Sequence, residues 1–297
     1  MNRRDFVRVA CAGAVGAATF ELATPASASF QRGPVLQDVL AAAATYIADY
    51  ETTPWAMLAE ERYQQTETRS GSRQVQRFLE SEVLLAGGGA SGWVWLRDVL
   101  DVDGVSLKRE LGRLQKILVD APPDAQARLR RIMLEGMAHH LGNALRTVDP
   151  PTLDLIPLRR DMQHRMGFVL DGSKSLNGRP HAIVHGVARE VPGLPYFSGA
   201  VVQSRFWIDT ATGCVAQSEV QLEARFRQAK ITVRYAHQPE LERWVPVRVD
   251  EEDKRFTNYT ATQLGASDLS VLVTGRADYR NFRKIGSGHR PLKTHAN

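Results

Sequence analysis

His181 and His185 stand four residues apart in Pro180–Glu190, a stretch that alternates as a strand does, so their side chains fall on one face. With His164, or with Asp209 across a sheet, they would form a metal or acid–base cluster, because imidazole titrates near neutrality and ligates metals when neutral. Register decides whether Asp209 meets them, and sequence does not supply it. His139-His140 is a weaker pair. Neighbours on a helix point about 100° apart, and the His-Glu-x-x-His order of zinc peptidases is absent although Glu135 precedes His139 by four. A core or boundary histidine at 140 and a surface one at 139 are expected.

Asp98, Asp101 and Asp103 before Gly104 have part of the spacing of a calcium loop. The Val-Ser-Leu-Lys that follows lacks the oxygen donors and closing glutamate such a loop needs, so Asp-Gly turn chemistry is expected. Ser173 and Ser175 are placed in a loop between Gly172 and Gly178, and no Gly-x-Ser-x-Gly elbow surrounds any serine. Phosphate-binding and dinucleotide fingerprints are missing too. No catalytic residue, metal or other cofactor is assigned. The enzymatic alternative rests on His181, His185 and Asp209.

The elements that would position these groups follow from periodicity. Gly33-Pro34 opens a helix whose apolar stripe runs Leu36, Val39, Leu40, Ala43, Ala44, Ile47, Tyr50, and Thr52-Thr53-Pro54 stops it. From Trp55 the period becomes two. Residues 59–69, 73–86 (closed by Gly87-Gly88-Gly89) and Trp93–Val99 predict an antiparallel meander. Two helices are then predicted, over Ser106–Val119 and from Pro122 to Arg146, with an apolar turn at Leu153–Leu158. Strands are predicted at Met166–Asp171, Pro180–Glu190, Ser204–Asp209, Val215–Arg225, Lys230–Ala236, Trp244–Glu251 and Leu269–Arg283, with a hairpin turn at Asp209–Gly213. The order is α+β, dominated by one large antiparallel sheet.

Residues 1–28 form an export address. Asn2-Arg3-Arg4-Asp5-Phe6 fits the twin-arginine pattern, with Arg3, Arg4 and Phe6 as its signature. A short apolar run over Val9–Phe20 follows, and Ala26-Ser27-Ala28 is a small-x-small cleavage site, so cleavage is expected between Ala28 and Ser29. The run is too short, and too broken by Gly13, Gly16 and Glu21, for an anchor of about twenty apolar residues. Cys11 lies too early, with Arg8 where a lipobox needs an apolar residue. The expectations are periplasm or secretion, the Tat translocase as export partner, and no transmembrane span after cleavage.

Cleavage removes Arg3, Arg4 and Arg8 against Asp5 and Glu21, so the formal charge falls from +5 to +4. The arginines are scattered rather than clustered, which describes a solvated face and not a phosphate footprint, so no nucleic-acid partner is expected. Cys214 alone remains after cleavage. It cannot form an intrachain disulfide, and a buried small apolar role is expected for it. Residues 29–285 are expected to be one α+β domain with a helical insertion at 105–148, and 286–297 a disordered tail. The loop Val191–Phe197, apolar and stiffened by Pro192 and Pro195, would suit a partner, ligand or membrane contact.

Three hairpin patterns carry a resemblance: Phe206-Trp207-Ile208-Asp209 with Thr212-Gly213-Cys214-Val215, Ile231-Thr232-Val233-Arg234-Tyr235, and Trp244-Val245-Pro246-Val247. They resemble the periplasmic lipoprotein carriers of the outer-membrane lipoprotein-sorting superfamily. Trp95–Val99, Val102-Asp103-Gly104 and Tyr279–Arg283 are similar to segments of uncharacterised secreted proteins of soil bacteria. By order of elements the likeness spans residues 55–285. It implies one large curved antiparallel sheet, half-barrel-like, with an N-terminal helix and a two-helix insertion, sheltering a lipid or other apolar ligand without catalysis. The chain departs from that superfamily in its twin-arginine signal and its helical insertion. A further alternative is an envelope scaffold or assembly factor offering a sheet edge or the Pro192–Phe197 loop.

Overall fold

In the computed structural model, which describes residues 34–53, 55–71, 73–89, 92–110, 112–141, 153–189, 200–256 and 269–285, the strands join into one curved antiparallel sheet. They are β1 (Trp55–Arg69), β2 (Val75–Gly89), β3 (Gly92–Val102), β4 (Val105–Ser106), β5 (Gly167–Leu176), β6 (Arg179–Arg189), β7 (Val201–Asp209), β8 (Val215–Ala224), β9 (Arg227–Gln238), β10 (Arg243–Phe256) and β11 (Leu269–Lys284). Their order is β4-β3-β2-β1-β11-β10-β9-β8-β7-β6-β5. The chain meanders outward from β1 to the β4 edge and crosses through helices to the β5 edge. It then meanders back until β11 pairs with β1, for example Tyr63 opposite Ala277. The fold is α+β and half-barrel-like, with an N-terminal helix and two helices inserted after β4.

Period-two alternation separates two faces. Trp55, Met57, Ala59 and Tyr63 of β1 point to the inner face, under the N-terminal helix α1 (Leu36–Thr52). Ala56 and Leu58 point outward, beneath α2 (Arg113–Asp120) and α3 (Ala125–Met137). Leu114, Ile117, Leu118, Leu129 and Ile132 cover that patch. At its base Asp98 is buried and accepts from Arg113 at 2.7 Å, and Arg113 also reaches Glu135 at 2.9 Å. Elsewhere the outer face carries cross-strand ion pairs: Arg248–Asp278, Arg276–Asp250 and Arg280–Glu60 at 2.6, 2.6 and 3.2 Å. Exposed pairs of this kind contribute ~0–1 kcal/mol each. They account for three of the arginines scattered along the sequence.

The helical predictions need correction. The stretch Ser106–Val119 is not one helix. Val105–Ser106 is β4, Leu107 N–H donates to Leu100 O at 2.9 Å, and the Arg109 guanidinium donates to Val99 O at 2.7 Å, tying residues 107–109 to β3. The helix begins only after Gly112, whose φ of 81° is left-handed. The helix predicted to Arg146 ends at Met137, because His139–Leu141 turn and engage the sheet; residues 142–150 lie outside the described residues. Ser173 and Ser175 lie within β5, not a loop. Asn177-Gly178, with φ of 51° and 76°, forms the two-residue hairpin to β6, a turn signal the sequence carried. Asp103-Gly104, with φ of 54° and 82°, makes the like turn between β3 and β4, as Asp-Gly chemistry predicts. No helix among the described residues is long and apolar enough to cross a membrane. Residues 1–28, the Pro192–Phe197 loop and 286–297 lie outside the described residues.

Candidate functional site

The inner face is where apolar surface, buried charge and covering elements meet. Helix α1 lies on it because its stripe, Val39, Leu40, Ala43, Ala44, Ile47 and Tyr50, is buried in full. Three ties hold the helix down. Gly213, in the β7–β8 turn with φ of 73°, sits so close that a Cβ there would meet Ala42 O at 2.4 Å. The Gln163 amide donates to Leu40 O at 2.9 Å. At the C-terminal end Trp55 Nε1 donates to Tyr50 O at 3.0 Å, and Arg243 lies 5.7 Å from the centroids of both rings.

Beside α1 runs a 3-10 segment, Leu153–Leu158, followed by the short helix α4 (Arg160–Gln163). Leu155 and Leu158 join the main apolar cluster with α1, Phe206, Ile208 and Val233. Ile156 packs against a second cluster formed by Met166, Ala188, Val202, Val220, Leu222 and Ala229. The segment therefore spans the inner face between both. Its Asp154, 3% exposed, takes hydrogen bonds from the Ser218 hydroxyl of β8 and, at 3.0 Å, from the Tyr235 hydroxyl of β9. Burial raises the Asp154 pKa to about 7, against the opposing pull of those donors.

A second polar group lies on β1, β3 and β10. Glu61 and Arg97, both almost fully buried, form a two-pronged ion pair, with Nη2 to Oε1 at 2.6 Å. Burial opposes the Arg97 charge, but Glu61 outweighs it and holds that charge firmly. Arg97 also lies 5.1 Å from the Tyr63 ring centroid, and its Nη1 is 3.3 Å from His140 Nε2. Tyr63 donates to Glu251 at 3.2 Å, Gln65 donates to Tyr63 at 3.2 Å, and Gln65 Oε1 accepts from Leu141 N–H at 3.1 Å. Arg77 donates to His139 O at 2.7 Å. This network pins His139–Leu141 to the sheet. Its charged centre is the Glu61–Arg97 pair, and its hydrogen bonds to His139 and Leu141 fix a strap.

Of the residues singled out for chemistry, His181 and Asp209 do meet, directly opposite each other on β6 and β7. Their partners are structural. His181 Nδ1 contacts Arg179 O at 2.9 Å. Asp209 caps its own turn through Ala211 and Thr212 N–H at 2.9 and 3.0 Å and pairs with Arg179 at 2.7 Å. His185 stands four residues along the same strand, about 13 Å away at strand rise. It lines a polar cleft of about 200 Å³ on the sheet beside Arg205, Glu219 and Lys230, so the structure does not bring the three together. His139 is half-buried rather than on the surface, and His140 is a boundary residue on Arg97. Asp101 and Asp103 serve the β3–β4 turn and Arg77, and Asp98 serves Arg113. Cys214 is buried, and burial pushes its thiol up, away from a reactive thiolate. No cluster of metal-binding side chains occurs among the described residues.

Sequence reasoning missed Asp154, Glu61 and Arg97. A signal existed for two of them. Glu61 occupies the inward register of Trp55, Met57, Ala59 and Tyr63, and Arg97 that of Trp95 and Val99, so each is a charge written into an apolar face.

No family model matches the sequence, and no curated protein matches it. Among solved structures the chain is similar to an outer-membrane lipoprotein-sorting protein domain from Vibrio parahaemolyticus, at 9% identity over 84% of this chain and 93% of that one, with a TM-score of 0.39. It is similar to a DUF1329 family protein from Desulfovibrio piger at 13% identity over 84% and 93%, TM-score 0.35. A LolA superfamily protein from Nitrosomonas europaea follows at 10% identity over 86% and 94%, TM-score 0.32.

Proposed function

We propose that this chain is an exported, non-enzymatic binding or carrier protein of the bacterial envelope that holds a lipid or other apolar ligand on the inner face of its sheet. In this reading residues 1–28 direct export by the Tat translocase, and Ser29 begins the working protein. The observation that carries it is the cover of the inner face. Among the described residues, two apolar clusters are overlain not by a second sheet but by one helix and a short 3-10 segment, each attached by a few hydrogen bonds and close contacts. Such a cover can shift without breaking a strand ladder, which a closed sandwich cannot do. Between α1 and the start of α4 lies a cleft of about 280 Å³, lined by Ala44, Ile47, Ala48 and Glu51 on one side and by Arg159, Arg160 and Asp161 on the other. That is near the lower end of the range for ligand pockets.

Native mass spectrometry after gentle extraction, with titration of a fluorescent fatty acid, tests the proposal. A co-purified lipid and saturable binding are expected. Absence of both would remove the carrier reading. A second reading, a scaffold offering a sheet edge, draws on β5, an edge strand whose Val169 and Leu170 are exposed. Charged replacements at those two positions would then abolish capture of a partner while leaving lipid binding unchanged.

A further inference from the structure

The segment Leu153–Leu158 is fastened through a group that can change its charge. Asp154 bridges to two strands at once, Ser218 on β8 and Tyr235 on β9, while Leu155, Leu158 and Ile156 pack into the clusters of the inner face. The groups around it are hydroxyls and rings. From β8 comes Ser218, from β9 Tyr235, and from α1 Tyr50, with Tyr46 beyond. The ionic groups of the adjoining elements are engaged with one another. Arg243 pairs with Asp49 at 3.4 Å, and Arg159 pairs with Asp161 at 3.2 Å and Glu51 at 3.7 Å. Arg160 is exposed. Among the described residues, no basic side chain forms an ion pair with Asp154.

A carboxyl in such a place is well served when neutral, because either hydroxyl can accept its proton while the other donates. Ionised, it keeps two donors but sits as a buried charge without a counter-ion, which is costly. We propose that Asp154 is a proton-operated latch: neutral, it holds Leu153–Leu158 against the inner face, and ionised, it releases the segment and opens that face to an apolar ligand. Its titration near pH 7 places the change within the range an envelope protein meets. The opening itself depends only on the latch geometry. What enters rests on the carrier reading.

Hydrogen–deuterium exchange on the full chain from pH 5 to 8.5 tests it, comparing wild type with Asp154→Asn at each pH so that intrinsic exchange cancels. Peptides covering 153–158 should exchange alike in both proteins at pH 5. By pH 8 the wild type should exchange at least about tenfold faster, since the ionised share of Asp154 rises from about one in a hundred at pH 5 to about nine in ten at pH 8. Peptides of β8 should keep a ratio near one. A ratio for 153–158 that stays flat across pH overturns the latch, as does an asparagine variant that is open at every pH. Ser218→Ala guards against a misfolded asparagine variant. Withdrawing one donor from the anion should move the wild-type opening midpoint to higher pH, and an unmoved midpoint counts against the proposal.

The same samples are titrated with N-phenyl-1-naphthylamine, an uncharged apolar fluorophore. Tighter binding at pH 8 than at pH 5.5 is expected in the wild type only. If the segment opens but no probe binds at either pH, the latch stands and the carrier reading fails. If the probe binds equally at both and the segment never opens, the latch fails and the carrier reading stands.

Discussion

Replacing Arg97 with methionine leaves the Glu61 carboxylate buried without its partner. Both side chains are nearly sealed, at 4% and 0% exposure, so solvent cannot take over the lost charge. Breaking a buried pair in this way costs roughly 3–5 kcal/mol. Glu61→Leu alone, which strands the guanidinium instead, should cost a similar amount, softened by the Tyr63 ring and by His140 beside Arg97. The double replacement Glu61→Leu with Arg97→Met removes both charges and fills much of the same space. It should fall within about 1–2 kcal/mol of wild type, because the desolvation of two ions disappears with their attraction. The single losses therefore sum to some 6 kcal/mol or more, and the double should show a fraction of that. Domains commonly have about 5–15 kcal/mol in total, so either single variant should be close to unfolding at moderate urea. Urea denaturation followed by tryptophan fluorescence reads all four proteins, with Trp95 packed on Tyr279 in the same region. A single Arg97→Met cost below about 1 kcal/mol, or strict additivity of the two changes, would refute the argument that this pair is desolvated and coupled.

Other outcomes follow from the same physical chemistry. Gly213→Ala puts a side chain on a left-handed backbone and against Ala42 O, so α1 should lift and stability drop by roughly 2–5 kcal/mol; unfolding within 0.5 kcal/mol of wild type would contradict the tie. Asp154 keeps its proton in the folded state up to about pH 7, whereas the unfolded chain releases it near pH 4. The folded state thus binds more protons in that window, and stability relative to Asp154→Asn should fall as pH rises from about 4 to 7, then level off; a difference that grows with pH in the other direction would reverse the assignment. Arg3→Lys with Arg4→Lys keeps charge but loses the guanidinium, so the precursor should stay uncleaved in the cytoplasm, as immunoblots of fractions would report; normal mature protein outside the inner membrane would point to a general secretory signal.

The apolar stripe of α1 and the alternation of β7 to β11 were legible along the chain, because each is a local repeat whose period matches one backbone geometry. The Asp103-Gly104 turn could be read for the same reason, and Asn177-Gly178 carried an equal signal that the neighbouring glycines and serines obscured. The limits of the two inserted helices were not legible, whereas those of α1 were. Leucines at helical spacing from Leu107 to Leu118 promised one helix, but bonds from Leu107 and Arg109 to β3 claimed the first turn. Likewise α3 stops at Met137 because Gln65 and Arg97 capture Leu141 and His140. The pairing of β1 with β11, the meeting of Glu61 with Arg97 across 36 residues, and the junction of Asp154 with Ser218 and Tyr235, 64 and 81 residues away, belong to tertiary structure alone. Periodicity tells which face a residue takes, whereas partners on that face are set by register and chain closure, which no local pattern encodes.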